Sequence, residues 1–197
     1  MYTKEQIETA LKSKGYVWFE DEINKGFDIN IVGVRNSATG QVVTNAFDDT
    51  LTISYKENGE WKFNSWPATT DPGKKGVLEY HNAAGVARLV EGQYIGSHGI
   101  GLHQGKYEAL RQAKNVKVYR DANKDLTYNE DKTQEGVFGI NIHKAGADST
   151  YVENWSEGCQ VFKKSADFDA FMIICNKFKS KNGNSFTYTL IESSDIK

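Results

Sequence analysis

Short runs of β-branched and aromatic residues, separated by turn-forming residues, dominate the hydrophobic pattern of this chain. Within residues 47–70, polar and apolar positions alternate, and the Asn58-Gly59 pair between the two runs is typical of a tight hairpin turn. Further strands are predicted at 16–20, 28–35, 77–81, 87–103, 115–120, 136–143 and 184–193. The pattern therefore predicts a mainly β fold, sandwich-like or barrel-like, with a few flanking helices.

Helical spacing of apolar residues is found in three segments. The most amphipathic segment is 165–181, which begins with a serine and carries aspartates in its first turn. A short helix near the N-terminus is predicted to end at Gly15, and another short helix is predicted at 106–113. These helices are too few to form a layer of their own, so we expect them to flank the sheet.

Length and charge limit the class of protein. With 197 residues, the chain fits one domain of good size, and we assign residues 1–20 to an N-terminal helical arm and 21–197 to a single domain. The net charge of −2 leaves no excess of Lys or Arg for phosphates, so no nucleic-acid partner is expected. No apolar stretch is long enough to predict a membrane span, and the N-terminus lacks the apolar segment of a secretory signal. We therefore expect a chain that is cytoplasmic as synthesised.

The two cysteines stand in different surroundings. Cys175 falls within the apolar spacing of the 165–181 helix and is predicted to be core, whereas Cys159 lies outside any apolar pattern. His143 ends the predicted strand 136–143, and fifteen residues separate it from Cys159. A thiol attacks a carbonyl as the thiolate, and a histidine within hydrogen-bond reach accepts its proton at neutral pH. The residues alone leave two interpretations open: a catalytic pair, or a buried histidine and a buried thiol that share a region.

The segment 138–162, FGINIHKAGADSTYVENWSEGCQVF, resembles the active-site signature of the L,D-transpeptidase (YkuD-like) catalytic domain. That family carries a histidine on a strand, a loop, and then a Ser/Thr-His-Gly-Cys turn. Residues 65–80, SWPATTDPGKKGVLEY, are similar to the family's segment in which a strand enters a Thr-Pro-x-Gly-type turn. The chain also resembles uncharacterised phage and gut-bacterial members with a G-I-N-I-H…W-S-x-G-C-Q-V motif. The resemblance covers roughly residues 30–162.

The resemblance implies a role for each matching residue. Cys159 would be the nucleophile, His143 the base, and Ser156 the residue that orients the imidazole, while backbone N–H groups around Gly158 and Cys159 would hold the oxyanion. It implies acyl transfer from peptidoglycan stem peptides through a thioester to an amine or to water, without metal or cofactor. A catalytic thiol is expected to have a pKa below that of a free thiol.

Place of action and the alternative function follow from the same resemblance. Without a visible export signal, we expect action at the bacterial cell wall as a phage lysin or a virion-associated enzyme. The alternative is a non-catalytic binding or structural module, virion-associated, on the same fold.

Two departures from the family motif bear on the substrate. Glu157 stands where the family has its second histidine, and Val161 stands where it usually has an Arg or Asn that binds the donor carboxylate. An altered substrate, or hydrolysis in place of transfer, is therefore an open alternative. Arg88 and Arg120 are candidates for the missing cation. The residues predicted to bind substrate are Trp155, Glu157, Gln160, His98 and Tyr94.

Other histidines in the sequence suggest a weaker pattern. Ser97-His98-Gly99 repeats the family triplet, but Ile100 stands where the cysteine is required. His98 and His103 are candidate zinc ligands together with His81 or His143, although their spacing matches no known zinc motif. Packing, or a place in the wall of the cleft, is the favoured interpretation.

Alternate polar residues from Asp121 to Asn129 resemble the start of a calcium-binding loop. Leu126 replaces the turn glycine of such loops, and Lys132 replaces the bidentate glutamate. A polar turn without metal is favoured, with calcium binding as the alternative.

Overall fold

The computed structural model describes residues 2–20 and 27–197 and has a closed, barrel-like sheet at its centre. In order around the sheet, its strands are β1 (Phe27–Arg35), β11 (Phe186–Glu192), β5 (Gly92–His103), β6 (Tyr107–Gln112), β9 (Ile142–Lys144), β10 (Gln160–Phe162), β3 (Glu60–Thr69) and β2 (Asp49–Glu57). A second sheet has the order β4 (Val86–Leu89), β7 (Val116–Asp121) and β8 (Thr133–Gly136). The helices are α1 (Lys4–Ser13), α2 (Lys74–Glu79) and α3 (Ser165–Asn182), with a 3₁₀ turn at Ser193–Asp195. The predicted mainly β fold with flanking helices is confirmed.

The hairpin predicted within 47–70 is formed by β2 and β3. Glu57 pairs with Glu60 across the turn, and Asn58 and Gly59 both have positive φ, 54° and 82°. This is the backbone conformation that an Asn-Gly pair adopts at low cost, and its twist matches that of the two strands.

The predicted helix at 165–181 is confirmed as α3, which packs against the main core. Its buried residues are Phe168, Phe171, Met172, Ile174 and Cys175, so the assignment of Cys175 to the core is also confirmed. Phe162 of β10 contacts both phenylalanines, with ring centroids 5.7 and 5.1 Å from Phe168 and Phe171. This aromatic cluster fixes β10, the strand that follows Cys159, against the helix.

The N-terminal segment packs against the sheet. α1 begins with a capping box between Thr3 and Gln6 and buries Ile7, Ala10 and Leu11. Residues 16–20, predicted as a strand, instead run without strand pairing, because the side-chain amide of Asn30 occupies the N–H and carbonyl of Phe19 at 2.9 and 3.0 Å. The predicted boundary between the N-terminal arm and the domain lies between residues 20 and 21. Residues 21–26 lie outside the described residues.

Several other segments differ from the sequence-based prediction. The strand predicted at 87–103 is divided into β4 and β5, which belong to different sheets. The helix predicted at 106–113 is strand β6, which pairs with β5 around a turn at Gln104 and Gly105 with φ of 49° and 71°. The strand predicted at 77–81 falls partly in α2, and the strand predicted at 136–143 is interrupted between β8 and β9, where Gly139 has a φ of 78°. Sheet pairing overrides local propensity at 106–113, whereas residues 77–79 belong to a helix and the positive φ of Gly139 interrupts the 136–143 run.

Within the described part of the chain, no helix combines the length and the apolar character that crossing a bilayer requires.

Candidate active site

His143 and Cys159 are brought to one face of the sheet by two adjacent parallel strands. Ile142 of β9 pairs with Gln160 of β10, and His143 pairs with Val161. Because side chains alternate between the two faces of a strand, Ile142 and Gln160 point to the core, and His143 points to the opposite face. Cys159, directly before β10, shares that face.

The two residues line the same cleft, which has a volume of about 630 Å³. Its lining is His103, Gln104, Lys106, Tyr107, His143, Lys144, Ala145, Asn154, Trp155, Glu157 and Cys159. Three parts of the chain therefore form its walls: the β5–β6 turn, strand β9 with the residue after it, and the loop before Cys159.

The imidazole of His143 is held in one tautomer. Its Nδ1 lies 3.0 Å from the carbonyl oxygen of Lys144, and since a carbonyl only accepts, the proton is on Nδ1. Nε2 therefore carries the lone pair, as a base requires. Burial, followed by the charge of His103, lowers the pKa of His143 to about 4, although the bond to Lys144 opposes this shift. At neutral pH the ring is an uncharged proton acceptor.

The thiol of Cys159 is protonated at rest. It donates to the carbonyl oxygen of Gly139 at 3.2 Å. Burial raises the pKa of Cys159 to about 11, the charge of Glu157 adds to this rise, and a hydrogen bond from the backbone of Asn141 opposes it. This direction is opposite to the predicted pKa below that of a free thiol. Cys159 is nevertheless partly exposed, whereas Cys175 is buried.

Ser156 shapes the turn that carries the thiol. Its hydroxyl donates to the carbonyl of Cys159 at 2.8 Å and accepts from the N–H of Gly158 at 3.2 Å, while its carbonyl accepts from the N–H of Gly73 at 2.9 Å. The prediction that Ser156 orients the imidazole is therefore corrected, because Lys144 does so. The predicted oxyanion donor at Gly158 is likewise bonded within the turn, so it would have to release Ser156 to bind an oxyanion.

Position 158 accommodates glycine and no larger residue. Its φ is 132°, and a Cβ at this position would lie 2.0 Å from the carbonyl oxygen of Ala87. The loop before it docks closely on the 65–80 segment, since a Cβ on Gly73 would lie 2.2 Å from the carbonyl oxygen of Glu153. The Pro72-Gly73 pair of the 65–80 segment thus holds the cysteine turn in place.

The structure brings only some of the predicted substrate-binding residues to the cleft. Trp155, 45% exposed, and Glu157 line it. Gln160 is buried and accepts from the hydroxyl of Tyr188 at 2.7 Å. His98 is also buried, with Nε2 2.8 Å from the carbonyl of Ile140.

Tyr94 does not line the cleft either. Its hydroxyl donates to the carbonyl of Val90 at 2.6 Å. The prediction that Gln160, His98 and Tyr94 bind substrate is therefore corrected: their polar groups are used inside the fold.

Neither predicted arginine lines the cleft. Arg88 is buried against Asp71, with Nε 2.8 Å from the carboxylate, and Arg120 lies over the ring of Phe138. The positive charges that line the cleft belong to Lys106 and Lys144. Sequence reasoning missed both lysines, as well as the stack of His103 on His143 at 4.3 Å, because these residues meet only through strand pairing. The Gln-Gly pair at 104–105 was the available signal for the hairpin turn.

Local hydrogen bonds account for the carboxylates of the calcium-like sequence pattern. In the 121–129 loop, the carboxylate of Asp121 accepts from the N–H of Lys124, and the carboxylate of Asp125 accepts from the N–H of Thr127, both at 2.8 Å. These carboxylates thus stabilise the turn itself. Among the described residues, no group of three or more His, Cys, Asp or Glu side chains is arranged to hold a metal ion.

Comparison of the chain with family models, curated proteins and solved structures gives no match.

Proposed function

We propose that this protein is a cysteine acyl-transfer enzyme that acts on peptidoglycan stem peptides. The observation that supports the proposal is the placement of His143 and Cys159 on one face of the sheet, in one open cleft, with the Nε2 lone pair of the histidine free of the Lys144 bond. The resemblance of residues 138–162 to the L,D-transpeptidase signature supplies the substrate class.

The resting charges favour general-base catalysis over a preformed ion pair. Because the pKa of His143 is about 4 and that of Cys159 about 11, both groups are neutral near pH 7. Nε2 of His143 accepts the thiol proton as the sulfur attacks the scissile carbonyl carbon, so a C–S bond forms and the carbonyl becomes an oxyanion. Collapse of this intermediate breaks the C–N bond, and the leaving amine takes the proton from the imidazolium.

The second half of the reaction reverses the proton transfers. The thioester on Cys159 is attacked by an amine or by water, which gives its proton to His143. Collapse of the second intermediate breaks the C–S bond, and the sulfur regains its proton. A water acceptor makes the protein a hydrolase, and an amine acceptor makes it a transpeptidase.

The walls of the cleft fit an anionic peptide. Lys106 and Lys144 line it, and a lysine pairs with a carboxylate as a point charge. The ammonium of Lys144 also lies 3.0 Å from the carboxylate of Asp169. Trp155 offers an exposed aromatic face beside them. Action at the bacterial cell wall, as a phage lysin or a virion-associated enzyme, is part of this proposal.

Digestion of purified peptidoglycan tests the proposal. Wild-type protein should release or rejoin stem peptides, detected by mass spectrometry, while Cys159→Ala and His143→Gln should each reduce the rate by at least about 10³-fold. Cys175→Ala is the matched control, because it removes the other thiol without touching the cleft. Activity in Cys159→Ala near that of the wild type would show that the nucleophile is assigned wrongly.

The neutral thiol also favours a second candidate, a binding module on the same fold. Burial raises the pKa of Cys159 to about 11, and this value fits a thiol without a catalytic role as well as a nucleophile that is deprotonated only by a general base. A binding module would retain muropeptides on the wild type and on Cys159→Ala equally, with no product formed by either.

A further inference from the structure

A second imidazole lies against the proposed base. The ring of His103 stacks on that of His143, with centroids 4.3 Å apart and an interplanar angle of 19°. His103 ends β5, which is not a neighbour of β9, because β6 runs between them. The two rings therefore contact each other across β6.

Small residues lie next to this contact on β5 and β6. Leu110 of β6 pairs with Ile142, so the preceding residue, Ala109, lies beside His143. Ala109 in turn pairs with Gly101 of β5. A Cβ on Gly101 would lie 3.2 Å from Cδ of Arg111, so the arginine side chain covers this part of β5.

The tautomer of His103 is fixed by its surroundings. The backbone N–H of Gln112 donates to Oδ1 of Asn141 at 2.9 Å. This bond identifies the oxygen of the Asn141 side-chain amide, so the other atom is its NH₂ group. This NH₂ lies 3.4 Å from Nδ1 of His103, so Nδ1 accepts and the ring proton is on Nε2. His143 has the opposite tautomer, with its proton on Nδ1. The stack therefore joins two neutral rings whose tautomers are set independently.

Charge around the pair favours neutral rings. Burial first, and then the charges of Arg111 and Lys106, lower the pKa of His103. A positive charge on either ring would face the other at stacking distance. The further titratable groups that line this cleft are Lys106, Tyr107, Lys144, Glu157 and Cys159.

We propose that His103 is a positioning residue for the proposed base, fixing the ring plane of His143 so that its Nε2 faces the cleft. This inference rests on the proposed function. His103 needs no contact with the substrate, because it acts through the ring that accepts the thiol proton.

Two substitutions of similar volume test the proposal. His103→Leu fills the site without a flat ring, and His103→Phe keeps a ring that stacks. We expect His103→Leu to lower kcat at least about tenfold with KM within about twofold, and His103→Phe to remain within about threefold of the wild type. A substitution that acted only through lost burial would affect both variants alike.

Nitrogen-15 NMR of the imidazoles, recorded without substrate, gives a second readout. In His103→Leu the titration midpoint of His143 should rise and its ring signals should broaden, while His81→Ala, an exposed control, should leave both unchanged. Unchanged midpoint, line width and kcat in His103→Leu would overturn the role of His103. Absence of turnover by the wild type would instead refute the proposed function, and the NMR titration would still decide whether His103 fixes the ring.

Discussion

Cys159 donates its thiol hydrogen to the carbonyl oxygen of Gly139, 3.2 Å away. A thiol bonded to a carbonyl is stabilised as S–H, because a thiolate would face the carbonyl dipole. This bond and the burial of the sulfur give the site the character of a general-base system, in which the thiol is deprotonated only as it attacks.

The alkylation rate of Cys159 should follow this high pKa. Because burial raises the pKa to about 11, the rate with iodoacetamide should increase about tenfold per pH unit from pH 7 to about pH 10. Cys175, buried in α3, should react more slowly at every pH. Peptide mapping after timed labelling measures both rates in one sample. A rate that is flat above pH 7 would contradict the assigned protonation state.

Neutralising Glu157 should make the thiol more acidic. Its charge adds to the effect of burial on the pKa of Cys159, so Glu157→Gln should lower that pKa and speed alkylation a few-fold at pH 8. The gain should shrink in 1 M salt, since Glu157 is exposed to solvent. Glu60→Gln, at the exposed start of β3, is the matched control. Equal rates in wild type and Glu157→Gln at low salt would remove Glu157 from the electrostatics of the site.

Gly158→Ala should destabilise the fold and distort the cysteine turn. The new Cβ would meet the carbonyl oxygen of Ala87 at 2.0 Å, at a φ of 132°, so we expect a loss of about 2–4 kcal/mol in the free energy of unfolding. Gly15→Ala is the control for a positive φ without a clash, because no atom lies within 4 Å of its Cβ position, and should cost about 1–2 kcal/mol. Urea titrations of both variants give the comparison, and equal losses would argue against the clash.

Acid should weaken the fold through His98. Burial lowers the pKa of His98 from 6.5 to about 4, so the folded state binds fewer protons than the unfolded state between these values. The stability that the neutral ring contributes is complete above about pH 6.5 and falls by up to about 3 kcal/mol as the pH drops towards 4. The advantage of wild type over His98→Gln in urea titrations should therefore shrink over this range. The same substitution at the exposed His81 is the control, and an advantage independent of pH would contradict the shift.

Local patterns predicted the elements whose own residues determine them. The β2–β3 hairpin follows from its Asn-Gly turn, and α3 follows from its apolar spacing and buried face. The prediction of a helix at 106–113 was wrong, because Lys, Glu, Ala, Leu and Arg favour a helix while pairing with β5 makes the segment a strand. Propensity is a weak guide where a neighbouring strand offers its hydrogen bonds.

The candidate site was predictable only in part, for the same reason. His143 and Cys159 lie in one segment with a recognisable motif, so the sequence alone indicates them. His103 is forty positions earlier, and Lys106 lies beyond the following turn, so only the closed sheet brings them to the cleft. Gln160 and His98 show the opposite error: a polar residue near a motif is predicted to bind substrate, whereas its hydrogen-bond partners lie inside the fold.

The parallel pair of β9 and β10 carries a further consequence. Each strand is only three residues long, and a slip of one residue between them would exchange the faces of every side chain. The sulfur would then turn inward, and the amide of Gln160 would open to solvent. The hydrogen bond from the Tyr188 hydroxyl to that amide favours the observed register, so an interior tyrosine outside the cleft helps to keep the sulfur on the cleft side of the sheet.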